Sequence, residues 1–367
     1  MKLKRTLIAC LLILGMLFSL NNMAFASSEM ENNTLNESRT IAINSPSMLG
    51  YDGIWEVVQT TELYNLSDEI VGFCFDMINI LKDSEGPETT YVIVNSDERG
   101  FPILLFGAYG TSAYLGQDYD KAYYFGTLDF YVAVDEDIVN AHTGKELSSA
   151  DIDIFSSSQV QTRSANEDYS ALRQRYLNGI TPFSPPNDTG SVSNGANLQW
   201  RKGCAPTAVA MLIKTKNSSL SGNTLIDSLA SYMGTNSSGS TDFDKITSGT
   251  NDYFKNNTNL TKPKTCGWNS VDSKGSPRTG SSYNSTSTFK TSIDAGYPVG
   301  VYCSSSDVKT KGYPNGIGAH MMSGIGYSFG SNGDFVTCYT TNTADGEVSF
   351  PLTSTGLKNH AWFLLKW

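Results

Sequence analysis

Apolar positions along the chain fall into three successive patterns. The first is a continuous run from Leu7 to Leu20, preceded by Lys2, Lys4 and Arg5 and followed by Ala24, Phe25 and Ala26. A basic start, a short apolar centre and a small-x-small site predict a signal peptide cleaved after Ala26. The run is too short for a comfortable membrane span, and no later segment approaches the roughly 18 apolar residues a span requires. The expected product is an exported protein, secreted, with no stable membrane span.

The second pattern is strand-like. Ser27 to Pro46 is polar and rich in Asn, Ser and Glu, which predicts a flexible lead-in. Tyr91–Val94 and Pro102–Tyr109, joined by a turn through Asn95 to Gly100, predict a hairpin. Tyr123–Val134 adds another β-rich run. A small β-rich or α+β domain is expected here.

The third pattern puts helical spacing before strands. Helices are predicted over Tyr169–Leu177, from Cys204 onward, over Asn223–Met233 and over Asp242–Phe254. The Pro/Ser/Asn/Gly stretch Thr181–Asn197 and the Ser/Asn/Gly/Lys-rich span Asn256–Thr286 predict loops. A helix near Ser287–Ala295 then precedes strands at Pro298–Cys303, His320–Phe329, Asp334–Thr341, Glu347–Leu352 and Ala361–Trp367. Helices followed by an antiparallel sheet are an α+β order.

Charge divides the chain at the same place. The net charge of −10 combines +3 in the signal segment, −18 from Ser27 to Thr162 (23 Asp+Glu against 5 Lys+Arg) and +5 from Arg163 to Trp367 (13 against 18). An acidic half thus precedes a mildly basic one, and opposite charge favours docking of the first on the second. No basic stripe interleaved with aromatics is present, so nucleic acid is not an expected partner. Neither a phosphate loop nor a dinucleotide fingerprint occurs, and no cofactor is expected.

Five cysteines remain after the signal: Cys74, Cys204, Cys266, Cys303 and Cys338. An odd number in an exported chain leaves at least one thiol outside any intramolecular bridge. No Cys/His cluster has metal spacing, so no zinc site is expected. Cys204 stands out in QWRKGCAPTAVAMLI (Gln199 to Ile213): Gly203 permits a tight approach, Pro206 suits a first helical turn, and an apolar helix follows. A thiol at a helix N-terminus is biased toward thiolate. Among His142, His320 and His360, His320 is the expected base, because GIGAHMMSGIGY sets it after a glycine-rich loop and at the head of a strand. His142 lies in the turn-like NAHTGKE, and His360 has the easier account of a capping or surface residue. Asn342, at the end of the next strand, is the candidate orienter, with Asp345 as the alternative.

GCAPTAVAML, SIDAGYPVGVYC, AHMMSGIGY and the strand ending in TNT stand in the order used by papain-fold cysteine peptidases. The chain resembles their bacterial secreted branches, the streptopain-like and double-glycine-leader-peptidase-like groups, over about Gln199 to Trp367. The resemblance implies a helical lobe and an antiparallel-sheet lobe with a cleft between them. It implies Cys204 as nucleophile, His320 as base and acid, Asn342 as orienter, and Gln199 as the oxyanion-hole side chain beside the Cys204 N–H. Gln199 stands five residues before Cys204 where the family pattern has six. Thr343 and Ala344 stand where a Trp commonly follows the orienter, which keeps Asp345 open. The acidic half resembles a streptopain-type prodomain, with a permanent accessory domain as the rival, so the expected organisation is a signal peptide (1–26), an acidic propeptide-like domain (27–163) and a papain-like catalytic domain (164–367), with processing at Arg163. The expected activity is peptide-bond hydrolysis on a peptide or protein substrate. Two other classes compete: a cell-wall amidase or transamidase using the same thiol, and an exported binding or adhesive protein in which Cys204 is structural.

Overall fold

The structure, a computed structural model, describes residues 33–81, 86–126, 128–135, 137–147, 152, 168–179, 187–304, 319–342, 346–353, 357 and 359–367. The signal segment, Arg163 and Asp345 lie outside them. Residues 33–48 form helix α1, where the composition predicts a flexible lead-in. Polar residues dominate this stretch, yet Ser38, Ile41, Ala42, Ser45 and Met48 are all buried. That spacing is one face of a helix, and burying it outweighs the mean polarity.

Seven strands follow in the acidic half: β1 (Trp55–Tyr64), β2 (Ile70–Asn79), β3 (Thr89–Asn95), β4 (Ile103–Ala108), β5 (Lys121–Tyr124), β6 (Phe130–Val134) and β7 (Asp137–Asn140). The predicted hairpin is β3 and β4, paired antiparallel. The predicted run over Tyr123–Val134 is divided between β5 and β6, which pair with each other. Helix α2 (Ser170–Asn178) comes next, then β8 (Asp188–Ser191), α3 (Cys204–Lys216), α4 (Gly222–Tyr232) and α5 (Phe243–Asn256). The span expected to be loops contains β9 (Thr265–Trp268), which pairs with the final strand. Helix α6 (Thr286–Asp294) leads into β10 (Val299–Cys303), β11 (His320–Phe329), β12 (Phe335–Tyr339), β13 (Glu347–Pro351) and β14 (Ala361–Lys366).

This is a mixed α+β fold with one large sheet, compatible with a peptidase-like fold. The strand order is β7-β6-β5-β1-β2-β3-β4-β13-β12-β11-β10-β14-β9, with β8 paired to β11. The acidic half therefore joins the rest edge to edge: Ala108, Gly107 and Phe106 of β4 pair with Glu347, Val348 and Ser349 of β13. One apolar cluster crosses that seam. Tyr114, Phe130 and Val132 share it with Phe289, Met322 and Trp362. A second cluster, including Val209, Leu212, Leu229, Phe254 and Phe363, packs α3, α4 and α5 against β10, β11 and β14. A third joins α1 and α2 to the acidic half's strands through Ile41, Phe75, Phe106 and Tyr176.

Candidate active site

The nucleophile candidate is held by a close backbone approach. A side chain at Gly203 would strike the carbonyl of Gly239, so only glycine lets the chain turn into α3 there. Cys204 is then the first residue of α3, followed by nine buried residues from Ala205 to Ile213. An apolar helix of that kind is locked by its packing, and its N-terminus presents unpaired N–H groups to the sulfur. Cys204 itself is half-buried.

His320 opens β11 and pairs across to Cys303 of β10. It is hydrogen-bonded to Cys204. Burial pushes the Cys204 thiol up, but the hydrogen bond and charge of His320, together with the N–H groups of Met321 and Ala205, leave it below its ordinary value. Burial lowers the imidazole of His320, and the Cys204 contact, the Thr340 carbonyl and the charge of Asp129 leave it above its ordinary value. Opposite shifts on two bonded groups favour a thiolate–imidazolium pair. The other thiols differ: burial pushes Cys266 up to about 12 and raises Cys74, Cys303 and Cys338. All five are free thiols.

The ring of His320 is oriented by main chain. Its Nε2 lies 2.7 Å from the Thr340 carbonyl and 3.4 Å from Thr341 Oγ1. The carbonyl can only accept, so Nε2 carries the proton and Nδ1 is left for the thiol. The turn that aims this carbonyl is strained, with the β-branched Thr341 at φ 76°. Such a residue costs on the order of 1–3 kcal/mol and persists only where neighbours hold it. Here the Trp200 N–H donates to the Thr341 carbonyl at 2.6 Å. Nothing in the sequence flags Thr340 or the left-handed Thr341.

The Asn342 amide donates to His142 Nδ1 at 3.0 Å. His142 comes from the acidic half. The turn that carries it is built by Asn140, whose Oδ1 accepts from the His142 and Thr143 N–H groups and from Thr143 Oγ1. A cavity of about 350 Å³ separates the two walls. Leu128, Tyr131, Asn140, His142 and Thr143 line one side; Gln199, Trp200, Cys303, His320 and Asn342 line the other. Gln199 is thus at the cleft, and the exposed Trp200 stands beside it. His360 is buried rather than on the surface: Nδ1 lies 2.9 Å from the Leu357 carbonyl, the ring stacks on Trp362, and burial lowers it.

Helix-borne thiol, strand-borne imidazole and an open cavity form an arrangement suited to nucleophilic attack on a carbonyl. Residues 187–362 match the Peptidase_C39 like family. The matched region contains Cys204, His320 and Asn342, and it supports a C39-type cysteine-peptidase-like domain with a hydrolase function of that type. No curated protein matches the chain.

Proposed function

We propose that the protein is an exported cysteine peptidase, in which the Cys204 thiolate attacks a peptide carbonyl and His320 moves the proton. The observation that carries this reading is the pairing of Cys204, at the start of α3, with His320, at the head of β11 and on the wall of an open cavity. In the first step the sulfur bonds to the carbonyl carbon and the carbonyl oxygen becomes an oxyanion. The Cys204 N–H and the Gln199 amide are the donors assigned to that charge. His320 then gives its Nδ1 proton to the leaving amine, which departs as the acyl-enzyme forms, and takes a proton from the water that hydrolyses the thioester.

The Thr340 carbonyl orients the imidazole in this reading, and Asn342 takes that role only when its amide leaves His142. The helices α3 to α5 and the strands β10 to β14 correspond to the two lobes of a papain-like fold. Export precedes a cut near Arg163 in the connector between the acidic and basic halves, so that the uncut chain is the precursor. The amidase alternative uses the same thiol on another acyl group, and a binding protein would need no reactive thiol.

The test is to prepare residues 27–367 as wild type and as Cys204→Ala, incubate both under reducing conditions with a peptide substrate, and follow peptide and chain length by mass spectrometry. Hydrolysis and shortening near Arg163 by the wild type alone are expected. Peptide cleavage by the Ala variant, or by neither form, would overturn the reading.

A further inference from the structure

We propose that the acidic half is a permanent part of this enzyme, forming the second wall of the substrate site and staying in place after any cut near Arg163. Its role as a substrate wall rests on the peptidase reading above; its retention rests on packing alone.

Three features tie the halves together without the connector. The sheet is continuous through β4 and β13, so separation would strip a backbone ladder and leave two unpaired edges. The apolar cluster containing fully buried Tyr114 and Phe130 from one side and Phe289 and Trp362 from the other is a single core. Halves joined through a core and a ladder behave as an obligate interface, not a transient one. Helix α2 supplies the third tie. It follows Arg163 in sequence, yet it is fastened to the acidic half: Asn44 Nδ2 donates to the Tyr176 carbonyl at 2.7 Å, and Arg173 donates to the Asn95 carbonyl at 3.0 Å. The same helix reaches the basic half through Tyr176, whose hydroxyl donates to the Asn332 carbonyl at 2.9 Å. A cut before residue 168 leaves every one of these contacts in place.

The acidic half does not fill the cleft. A cavity of about 350 Å³ stays open beside His320, within the range of sites that take small ligands. Leu128 and Tyr131 face it from one wall and the exposed Trp200 from the other. This pairing fits a peptide stretch that presents an apolar or aromatic side chain between the walls. Thr143, on the same wall, limits how bulky that side chain is.

The experiment uses residues 27–367 with a specific protease site inserted at 161–167. The chain is cut there and run on gel filtration without denaturant, and peptide hydrolysis is assayed on the same samples. Co-elution of the two fragments at the mass of the uncut chain, parting only in denaturant, is the expected result. Thr143→Trp and Tyr131→Ala should raise KM for a peptide with an aromatic side chain by about fivefold or more, with kcat changed by less than about twofold. Fragments that separate in native buffer, leaving 168–367 folded, would overturn the proposal. Co-elution with KM unchanged in both variants would overturn the substrate wall. Co-elution with no hydrolysis by any form would sink the peptidase reading and leave the retained assembly standing.

Discussion

The two walls of the cleft are positioned by different means. On the basic side, Cys204 and His320 sit at the ends of regular elements whose remaining residues are almost wholly buried, so the core fixes the reacting atoms. On the acidic side, His142 and Thr143 sit in a turn held mainly by the side chain of Asn140. A wall built on packed elements suits chemistry that tolerates little displacement, and a wall built on a turn suits recognition that varies with loop sequence. Substitutions should therefore act on turnover at the first wall and on substrate binding at the second.

His320→Ala should lower kcat by on the order of 10²–10⁴-fold, with the thermal transition little changed, as measured by peptide turnover and calorimetry. A mild effect would move the base elsewhere. Next in size is the shared core. Phe130→Ala in the acidic half should cost about 3–5 kcal/mol, and denaturant unfolding should lower the Trp362 and Tyr114 probes together in one transition. Two separate transitions would mean that the halves are independent domains.

Activity should rise on an acid limb below the ordinary thiol value of about 8.5 and fall on an alkaline limb above the ordinary imidazole value of about 6.5. The sign follows from the directions: a lowered thiol moves the acid limb to lower pH, and a raised imidazole moves the alkaline limb to higher pH. These limbs belong to the coupled pair. A smaller effect is expected at Asn342. If the Thr340 carbonyl orients the ring, Asn342→Ala should reduce kcat by less than about tenfold, whereas an essential side-chain orienter would cost more.

The smallest effect concerns the seam. Burial raises the Glu347 carboxyl, opposed by a bond from Tyr339. A carboxyl raised in the folded state stabilises when protonated, and that contribution is lost as pH rises through its folded value. Glu347→Gln should therefore raise stability at pH 7 and change it little at pH 4, read from denaturant midpoints.

Much of the first wall was legible in the sequence because its chemistry requires rare residue types at the ends of periodic segments. Gly-Cys-Ala-Pro before an apolar run and His320 before a strand are local signals. The second wall was not legible. His142 lies 200 residues before Asn342, and the β4–β13 seam and the core shared across it bring the two together. The orienting Thr340 carbonyl leaves no side-chain trace, and the left-handed Thr341 belongs to a residue type that sequence rules place in strands. Helix α1 was obscured by its composition although its buried positions carry a helical period. Strand β9 was obscured because its pairing partner is the last strand of the chain.

Whether Cys204 and His320 form a reactive ion pair is read most directly from the pH dependence of iodoacetamide alkylation at each of the five cysteines of residues 27–367. Peptide mass spectrometry should show Cys204 alkylated first near neutral pH, with its reactivity extending below the ordinary thiol range, and His320→Ala should shift that reactivity upward. Equal labelling of all five thiols, or a Cys204 profile unchanged by loss of His320, would contradict the account.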